Sequence, residues 1–451
     1  MKISTIQKIL FYLILFSLIF VFAFNIATYD PLLGYDAEAH HSYVDYLSMY
    51  LPRDFQLPTE DSSREFFNPP MGYLFPSFIQ VICRNVVDSV DLVQTCRPIY
   101  GKISQIFQSI LFFSSILIYL KIFRKLTNSS LLNINVLIVI GILTVNYRTF
   151  SMIRGEPYII FFLACLLYRL LLLIENKFDF KLNDLIIFGL IIGSLALSRQ
   201  WAILLFPALY LLIMYIDSST KKLQYFKFIT GSFIVGFFTS FWFYLSLYMR
   251  YGTFTAFNME PTSFSFSNQP RSFYFPDISS LEMMFSKPIR PNFFNEVFPI
   301  LYSDLWGDYW GYFVFTRDAL TSGRNQLIIG DYLARVNIVS ILVTIFFIFV
   351  IGKSLKYINI KNGSNIFISY VSLSIFISFG GYLWFLIKYP ALDSGDTIKA
   401  TYMIQAFHLI GVLAILYLEK LKQKNFTRYV LLFGIFLATF IHNYSAMLNH
   451  Y

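Results

Sequence analysis

Charged residues are scarce in this sequence. Asp, Glu, Lys and Arg make up 14% of its 451 residues and hydrophobic residues 57%, whereas charged residues make up about 25% of an average soluble domain. The apolar residues form runs of roughly 20, the length that an α-helix needs to cross a bilayer. Most of these runs lack the polar stripe of a helix that packs in a soluble protein. The composition therefore predicts an all-α polytopic membrane protein.

Cysteine and histidine are also rare, with three and five residues. Three cysteines supply neither a zinc site nor a dense disulfide framework. Cys83 and Cys96 fall in the same polar region and would pair if that region faces an oxidising compartment. The sequence leaves open whether they pair or remain two free thiols. Cys165 lies in an apolar run, where it is predicted to pack.

The positive charge is concentrated at the ends of the apolar runs. The formal net charge is +9, but this distribution is typical of a membrane protein and does not indicate nucleic acid as a partner. The first apolar run is predicted to remain in the protein as a membrane span. It is longer than the core of a cleaved signal peptide, and Ala23 and Ala27 match a cleavage site poorly.

The apolar runs predict eleven transmembrane helices. They cover residues 9–27, 101–123, 131–147, 156–174, 184–199, 201–217, 227–249, 333–352, 365–387, 399–418 and 429–447. Alternate connections are short and rich in Lys and Arg, so the positive-inside rule places them and the N-terminus in the cytoplasm. Two large connections, a first loop (28–100) and a second loop (250–332), then lie outside, as does the C-terminus.

The chain is accordingly divided into three parts. Residues 1–249 form an N-terminal transmembrane module that includes the first loop, residues 250–332 form an outer interfacial loop, and residues 333–451 form the C-terminal helices. The second loop is rich in Phe, Tyr, Ser, Asn and Pro, which predicts ordered irregular structure on the membrane because disordered segments are poor in aromatics.

The first loop carries an unusual share of the acidic residues. Ten of the 26 acids of the chain lie between residues 29 and 91. Within GYDAEAHHSYVDYL a helix is predicted to begin near Asp36, with Asp36 and His40 on one face. The alternative is that Asp36 is only a helix N-cap. Downstream, FFNPPMGYLFPSF contains Asn68-Pro69-Pro70, a turn motif that is unspecific by itself.

The first loop resembles that of the GT-C glycosyltransferases. It follows a first span and contains an early Asp, two short interfacial helices and an Asn-Pro-Pro turn. The nearest likeness is to the branch of protein O-mannosyltransferases and lipid A aminoarabinose transferases. In the enzymes of that branch, the sequence of this loop often has Asp-Glu after Gly-x, followed later by Lys-Pro-Pro. Here the motifs are Gly34-Tyr35-Asp36-Ala37-Glu38 and Asn68-Pro69-Pro70. The second acid is therefore displaced by one position and the Lys is missing.

The resemblance implies an inverting glycosyltransferase that uses a polyprenyl-phosphate sugar. The acceptor would be a lipid, a glycan or a protein on the non-cytoplasmic face, and the setting a bacterial inner membrane. A glycosidase needs a second carboxylate to protonate its leaving group. A lipid phosphate leaves without protonation, so one base suffices. We assign this role to Asp36, and predict that Glu38, His40 and Asn68 bind substrate.

Cations are expected to stabilise the departing phosphate. Arg148, Arg154, Arg199 and Lys399 lie at the predicted outer ends of spans, although snorkelling to the membrane surface would also explain them. Arg154 and its neighbour Glu156 are counted as substrate-binding residues, with a structural ion pair as the alternative. Lys399 is the favoured contact of the lipid phosphate.

A third candidate is the run FPILYSDLWGDYWGYF in the second loop. Asp304, Trp306 and Asp308 combine carboxylates with aromatic faces, a common way of binding sugars. An interfacial aromatic belt is the alternative for the Trp residues. Asp36, Glu38 and His40 would offer ligands to a divalent cation, but their spacing matches no established motif, so no metal is predicted.

Two other classes of membrane protein also fit parts of the pattern. A polysaccharide ligase or polymerase would likewise use lipid-linked donors and would place its polar loop at 250–332. A secondary transporter would carry ionisable residues near the middle of its spans. The acids here gather in the loops instead, which favours an enzyme.

Overall fold

A computed structural model describes residues 3–51, 53–87, 91–128, 130, 132–315, 326–359 and 365–450. In these ranges the regular structure is helical, and no strand occurs among them. Part of the predicted second loop, at 316–325, and the predicted cytoplasmic residue Lys361 lie outside the described residues.

The described chain forms seventeen α-helices and several 3₁₀ turns. The helices are α1 (Ile3–Thr28), α2 (Ala37–Tyr50), α3 (Met71–Val86), α4 (Leu92–Thr127), α5 (Ile134–Gly141), α6 (Val145–Ser151), α7 (Glu156–Glu175), α8 (Leu182–Ser198), α9 (Phe206–Leu211), α10 (Ser219–Tyr251), α11 (Arg271–Tyr274), α12 (Ile278–Ser286), α13 (Val297–Trp306), α14 (Gln326–Asn359), α15 (Ile366–Lys388), α16 (Ile404–Lys424) and α17 (Phe426–His442). Turns of 3₁₀ helix flank α9, at Gln200–Leu205 and Leu212–Tyr215, and precede α16, at Ala400–Met403.

Eight of these helices are long and apolar enough to cross a bilayer. They are α1, α4, α7, α10, α14, α15, α16 and α17. The prediction of a polytopic helical membrane protein is therefore confirmed at this level, whereas the predicted number of eleven spans is not.

Three predicted spans are not among these eight helices. The run at 131–147 is broken into α5 and α6, which are bent by 74°. The carbonyls freed at the end of α5 are satisfied by side chains from α6, since Asn146 Nδ2 donates to Ile140 O at 2.9 Å and Tyr147 Oη to Gly141 O at 2.5 Å. The runs at 184–199 and 201–217 form the 17-residue α8 and the short segment Gln200–Tyr215.

Helix α16 runs through the centre of the bundle. Every residue from 404 to 415 is buried, and α16 packs on α5, α7, α14, α15 and α17. A helix that is apolar on all sides is stable only when it is surrounded in this way. The residues just before α16 are thereby fixed relative to most of the bundle.

The loops meet at two opposite ends of the bundle. At one end, which we call the site end, Arg199 after α8 contacts Glu156 at the start of α7, and Lys399 before α16 contacts Asp36. At the other end, which we call the lysine end, Lys125 of α4 pairs with Glu175 of α7 at 2.8 Å.

The first loop packs on the site end as a small helical layer. Helices α2 and α3 pack together and α3 packs on α4, to which it is joined by a disulfide between Cys83 and Cys96. Of the two alternatives for these cysteines, the structure has the disulfide. Arg97 of α4 also donates to Asp45 of α2 at 2.7 Å. These links hold the loop against the membrane helices.

The described part of the second loop is irregular and ordered against α15. Gln269 Nε2 donates to Leu386 O at 2.7 Å, and the Thr262 N–H donates to Lys388 O at 2.9 Å. Its helix α13 packs on the Ala400–Met403 turn, and the short helices α11 and α12 pack on α13. This agrees with the prediction of ordered irregular structure.

Candidate functional site

Asp36 lies in a strained turn between α1 and α2. Its φ is 50° and that of Gly34 is 133°, both in the left-handed region that residues with a Cβ rarely adopt. A Cβ on Gly34 would lie 2.9 Å from the Met152 side chain. Strained backbone of this kind persists only where the surroundings fix it, and it is often found at functional sites.

The carboxylate of Asp36 does not cap α2. Asp36 occupies the N-cap position but makes no side-chain cap hydrogen bond, so the N-cap alternative does not account for its side chain. Asp36 Oδ2 instead lies 3.3 Å from Lys399 Nζ. This pair joins the first loop to the residues before α16.

Lys399 is held by aromatic rings as well as by Asp36. Its ammonium lies 5.0 Å from the centre of the Tyr35 ring and 5.6 Å from that of Tyr402, distances typical of cation–π contacts. The Lys399 charge lowers the pKa of Asp36, although burial opposes this shift. Asp36 is therefore ionised at neutral pH.

Asp36 and Lys399 line a cavity of about 160 Å³. Three parts of the chain surround it: the first loop, the second loop and the segment before α16. The lining residues are Tyr35, Asp36, Arg64, Glu65, Phe67, Phe257, Asn258, Met259, Arg290, Trp310, Tyr312, Asp396, Thr397, Lys399 and Tyr402. Cations, carboxylates and aromatic rings thus converge in one small space. A larger cavity of about 630 Å³ also combines carboxylates, a cation and aromatic rings, with Glu60, Glu260 and Lys388 in its lining, but it does not contain the pair of Asp36 and Lys399.

The second loop contributes a cation to the opposite wall of this cavity. The Arg290 guanidinium lies 5.3 Å from the centre of the Trp310 ring and 3.7 Å from an oxygen of Asp396. Arg290 is partly exposed, at 39% of its side chain. It is therefore free to change partners when an anion enters.

A buried ion network lies behind the cavity. Glu156 is fully buried and accepts from Arg154 Nε at 3.1 Å and from Arg199 Nε at 2.9 Å. Arg199 also approaches Glu65 at 3.7 Å, and Asn68 hydrogen-bonds both residues. The two guanidinium groups balance the two carboxylates, as burial requires.

This network depends on a close approach of two helices. Gly155, just before α7, lies so near the end of α8 that a Cβ would be 1.9 Å from Ser198 O. Only glycine permits this contact. It brings Arg154 and Glu156 within reach of Arg199.

Glu65 is a site residue that the sequence analysis missed. It is buried, lines the cavity and touches the ion network. Burial raises the pKa of Glu65, and the Arg199 charge opposes the shift. The only local signal is its position three residues before Asn68. His40 is close behind, with Nδ1 at 2.7 Å from Tyr73 Oη and 4.0 Å from Glu65.

Burial also determines the charge of His40. It lowers the pKa of the imidazole well below its usual value, because the charged form would lose its hydration. His40 is therefore neutral at pH 7 and supports the network through its hydrogen bond to Tyr73.

Snorkelling does not explain the three predicted arginines. Arg148, Arg154 and Arg199 are exposed by 1%, 1% and 3%, respectively, whereas a snorkelling side chain keeps its charge in water. Arg154 and Arg199 belong to the ion network. Arg148 instead pairs with Asp304 at 3.0 Å.

Of the ten predicted substrate-binding residues, Lys399 lines the cavity and the other nine do not. Glu38 is 77% exposed and pairs with Arg97. Asp308 accepts backbone N–H groups within its own loop, and Trp306 is buried with its Nε1 bonded to Thr344. Asp304 is fully buried.

Asp304 connects two walls of the site. It accepts a hydrogen bond from Tyr35 Oη at 3.2 Å and from the Ala400 N–H at 2.6 Å. Both partners adjoin residues of the ion pair, since Tyr35 precedes Asp36 and Ala400 follows Lys399. Asp304 thus helps to position the site, and Trp310 and Tyr312 are the aromatic residues of this run that line the cavity.

Chemically, the cavity offers one ionised base, several cations and aromatic walls. Within the described residues no group of three or more His, Cys, Asp or Glu is placed to hold a metal ion. The side chains alone can therefore deprotonate or orient a hydroxyl at Asp36 and bind an anion at Lys399, Arg64 and Arg290.

No protein-family model matches this chain, and neither a curated protein nor a solved structure matches it. The resemblance to the GT-C glycosyltransferases thus depends on the motifs of the first loop alone. What the protein does must be inferred from the site.

Proposed function

We propose that this protein is an inverting glycosyltransferase of the GT-C type. It moves a sugar from a polyprenyl-phosphate carrier to a lipid, glycan or protein acceptor. The observation that carries this proposal is the pairing of Asp36 and Lys399 at 3.3 Å in a cavity shared by both loops. A base and an anion site side by side are what the reaction requires.

In the proposed reaction the acceptor hydroxyl attacks the anomeric carbon of the sugar. Asp36 accepts the hydroxyl proton as the new C–O bond forms. The bond from the anomeric carbon to the phosphate oxygen breaks, and its electron pair leaves with the phosphate. A single displacement inverts the configuration. Before this displacement, Lys399 exchanges its contact with Asp36 for the phosphate of the bound donor, which releases the carboxylate to act as the base.

Arg64 and Arg290 complete the anion site in this proposal. Both line the cavity, and the Arg290 guanidinium contacts the Trp310 ring and, at 3.7 Å, the carboxylate of Asp396. Guanidinium groups bind phosphate through two parallel hydrogen bonds. The ion network behind Asn68 keeps the cavity wall rigid and does not itself meet substrate.

The proposal places the site at the bilayer surface outside the cytoplasm. The ends of long apolar helices surround it, so a lipid-linked donor would present its phosphate at this level. The disulfide between Cys83 and Cys96 supports an oxidising compartment for the site end. The lysine end would then be cytoplasmic. The N-terminus would be cytoplasmic and the C-terminus outside, in a bacterial inner membrane.

Contacts of the short helices support eleven crossings. Arg199 stands at the site end, whereas Tyr215 Oη donates to Ile358 O near the lysine end at 2.7 Å. The bent pair α5–α6 starts beside Glu419, which accepts from Asn135 at 2.5 Å, and ends just before Arg154. Both elements thus extend between the two ends.

A polysaccharide ligase or polymerase is a second candidate. It is favoured by the share of the cavity wall that the second loop supplies, including Asn258, Arg290 and Trp310. Such an enzyme would use the same base and anion site and differ in its acceptor. A panel of acceptors separates the two, because a ligase or polymerase requires a growing polysaccharide chain.

The test is a transfer assay with the full chain in lipid nanodiscs. Labelled polyprenyl-phosphate sugars serve as donors, with membrane lipids, glycans and peptides as acceptors. Asp36→Asn should lower turnover roughly 10²- to 10⁴-fold, the contribution of a general base. Asp54→Asn changes an exposed acid of the same loop and should leave turnover unchanged. Equal turnover of the wild type and Asp36→Asn would refute the assignment of the base.

A further inference from the structure

A second cavity lies at the lysine end of the bundle. Its volume is about 690 Å³, within the usual range of small-molecule sites. It is bounded by the C-terminal ends of α4, α14 and α16 and by the start of α15. Four of its lining residues are cations, namely Lys353, Lys356, Lys420 and Lys424, and no lining residue is acidic. We call it the lysine cavity.

The four cations of the lysine cavity have no acidic partner among the described residues. Two other basic groups at this end do have acidic partners, since Lys125 pairs with Glu175 at 2.8 Å and Arg169 with Asp184 at 3.6 Å. The field of unpaired ammonium groups in one concave space therefore attracts an anion.

The helix ends do not by themselves explain this arrangement. Lysine in the last turn of a helix interacts favourably with the helix dipole, and Lys356 and Lys424 fit that description. Lys353 does not, because it lies six residues before the end of α14 at Asn359. Its ammonium stays close to the Phe349 ring, at 5.5 Å.

The walls of the lysine cavity are apolar below the lysines. Leu126, Val350, Ile368 and Leu413 contribute to them. Along α14, on the side of Lys353 and away from the cavity, an apolar flank remains exposed on the bundle surface, with Phe349 at 41% and Ile345 at 56%. A cationic rim above an apolar wall matches an amphiphile with an anionic head.

We propose that the lysine cavity binds the anionic headgroup of a membrane phospholipid. The phosphodiester would accept hydrogen bonds from the ammonium groups, and the acyl chains would lie along the exposed flank of α14. Basic pockets between transmembrane helices are known to hold such headgroups. This site lies at the opposite end from Asp36, so it does not depend on the proposed transferase activity.

The test measures lipid retained by the purified full chain. The protein is exchanged from nanodiscs of phosphatidylcholine and phosphatidylglycerol, mixed equally, into detergent, and the bound lipid is quantified by mass spectrometry. The wild type should retain phosphatidylglycerol in preference to phosphatidylcholine. The double variant Lys420→Gln/Lys424→Gln should lower the affinity for phosphatidylglycerol roughly 20-fold, about fivefold for each lysine.

The matched control is Lys222→Gln/Lys422→Gln. It removes the same charge, but neither residue lines the cavity, and the Lys422 ammonium lies 5.7 Å from the Tyr429 ring. The control should retain phosphatidylglycerol like the wild type. Melting in phosphatidylcholine alone confirms that both variants are folded.

Three outcomes would overturn the proposal. The first is equal retention of the two lipids by the wild type, and the second is an equal loss in the control, which would indicate a general surface charge effect. The third is displacement of the lipid by millimolar glycerophosphate, which would indicate a free phosphate site. Asp36→Asn should retain lipid normally, so failure of the transfer assay and failure of this test are distinguishable.

Discussion

At the scale of single residues, the site is governed by the contact between Asp36 and Lys399. Lys399 keeps the carboxylate ionised by lowering its pKa, which makes Asp36 a weak base while the two are in contact. Binding of a phosphate to Lys399 would remove that restraint. The same lysine thus couples the binding of the donor to the readiness of the base.

Lys399→Met should move the acidic limb of the pH profile. The ammonium is the main cause of the lowered pKa of Asp36, and burial opposes it. Without the ammonium the pKa of Asp36 rises, so the carboxylate is protonated at a higher pH and activity is lost earlier on acidification. The measurement is kcat/KM against pH. The result is the pH at which activity falls to half of its maximum, and not the maximum itself.

Lys399→Arg provides the control for this profile, since it keeps the positive charge. Its acidic limb should stay with that of the wild type. An unchanged limb in Lys399→Met would mean that a group other than Asp36 titrates in the rate.

Glu156→Gln should destabilise the protein by about 3–5 kcal/mol, the cost of breaking a buried ion pair. It would leave Arg154 and Arg199 buried without their shared carboxylate. The measurement is the free energy of unfolding in detergent. Lys125→Gln breaks a pair whose side chains are 36% and 37% exposed and should cost at most about 1 kcal/mol. Similar losses in both variants would contradict the role of the network.

The site residues that could be identified from the sequence are those with unusual neighbours in the sequence. Asp36 follows a span within a Gly-Tyr-Asp motif, and Lys399 and Arg199 interrupt apolar stretches. Glu65 could not be chosen among ten acids of one region, because no periodicity distinguishes it. Glu38 was predicted to bind substrate beside Asp36, but two residues further along the chain its side chain is exposed to solvent beside Arg97.

At the scale of helices, the site depends on how closely α7 and α8 approach. Gly155→Ala would place a Cβ 1.9 Å from the Ser198 carbonyl oxygen, and a backbone atom cannot move aside alone. The helices should separate, with a loss of about 1–3 kcal/mol or more and of the Arg199 contact to Glu156. Thermal unfolding in detergent and the transfer assay both report this change.

Gly434→Ala is the matching control in α17. Nothing lies within 4 Å of its added Cβ, and alanine favours a helix over glycine by about 0.5–1 kcal/mol. The melting temperature should stay constant or rise. A fall as large as that of Gly155→Ala would show that glycine content and not helix approach determines the stability.

The sequence predicted which segments are helical better than it predicted the bends and breaks within them. Apolar runs reveal how much of the chain can enter a bilayer, so the eight long helices were predictable. The bend between α5 and α6 was not, because Asn146 and Tyr147 satisfy the broken backbone through contacts that hydropathy does not register. The bounds of α8 were close to those predicted, but the division of 201–217 into the short α9 and two flanking 3₁₀ turns was not foreseen.

At the scale of the whole molecule, the two ends should lie on opposite sides of the membrane. Ser279 at the site end and Asn176 at the lysine end are both exposed. A membrane-impermeant maleimide should label Ser279→Cys in intact cells and Asn176→Cys only after lysis. The unmodified chain is the blank. Labelling in the reverse order would invert the proposed orientation.

The assembly of the site from distant segments was beyond the sequence. Asp36 and Lys399 are separated by 363 positions, and no pattern in one chain specifies which loops meet. The positive-inside rule placed both on one side of the membrane, which is as far as a single sequence leads. Which loops meet is determined by the packing of the other helices around α16.

That separation also has a consequence for biosynthesis. The ribosome releases Asp36 early, but its partner emerges 363 residues later, after roughly 20–70 seconds at about 5–20 residues per second. During that interval the strained turn at Asp36 lacks its partner Lys399. If the proposed mechanism holds, the newborn chain would thus be unable to act on lipid carriers until its last helices are being inserted, and a ribosome that stalls before Lys399 would leave an inactive fragment in the membrane.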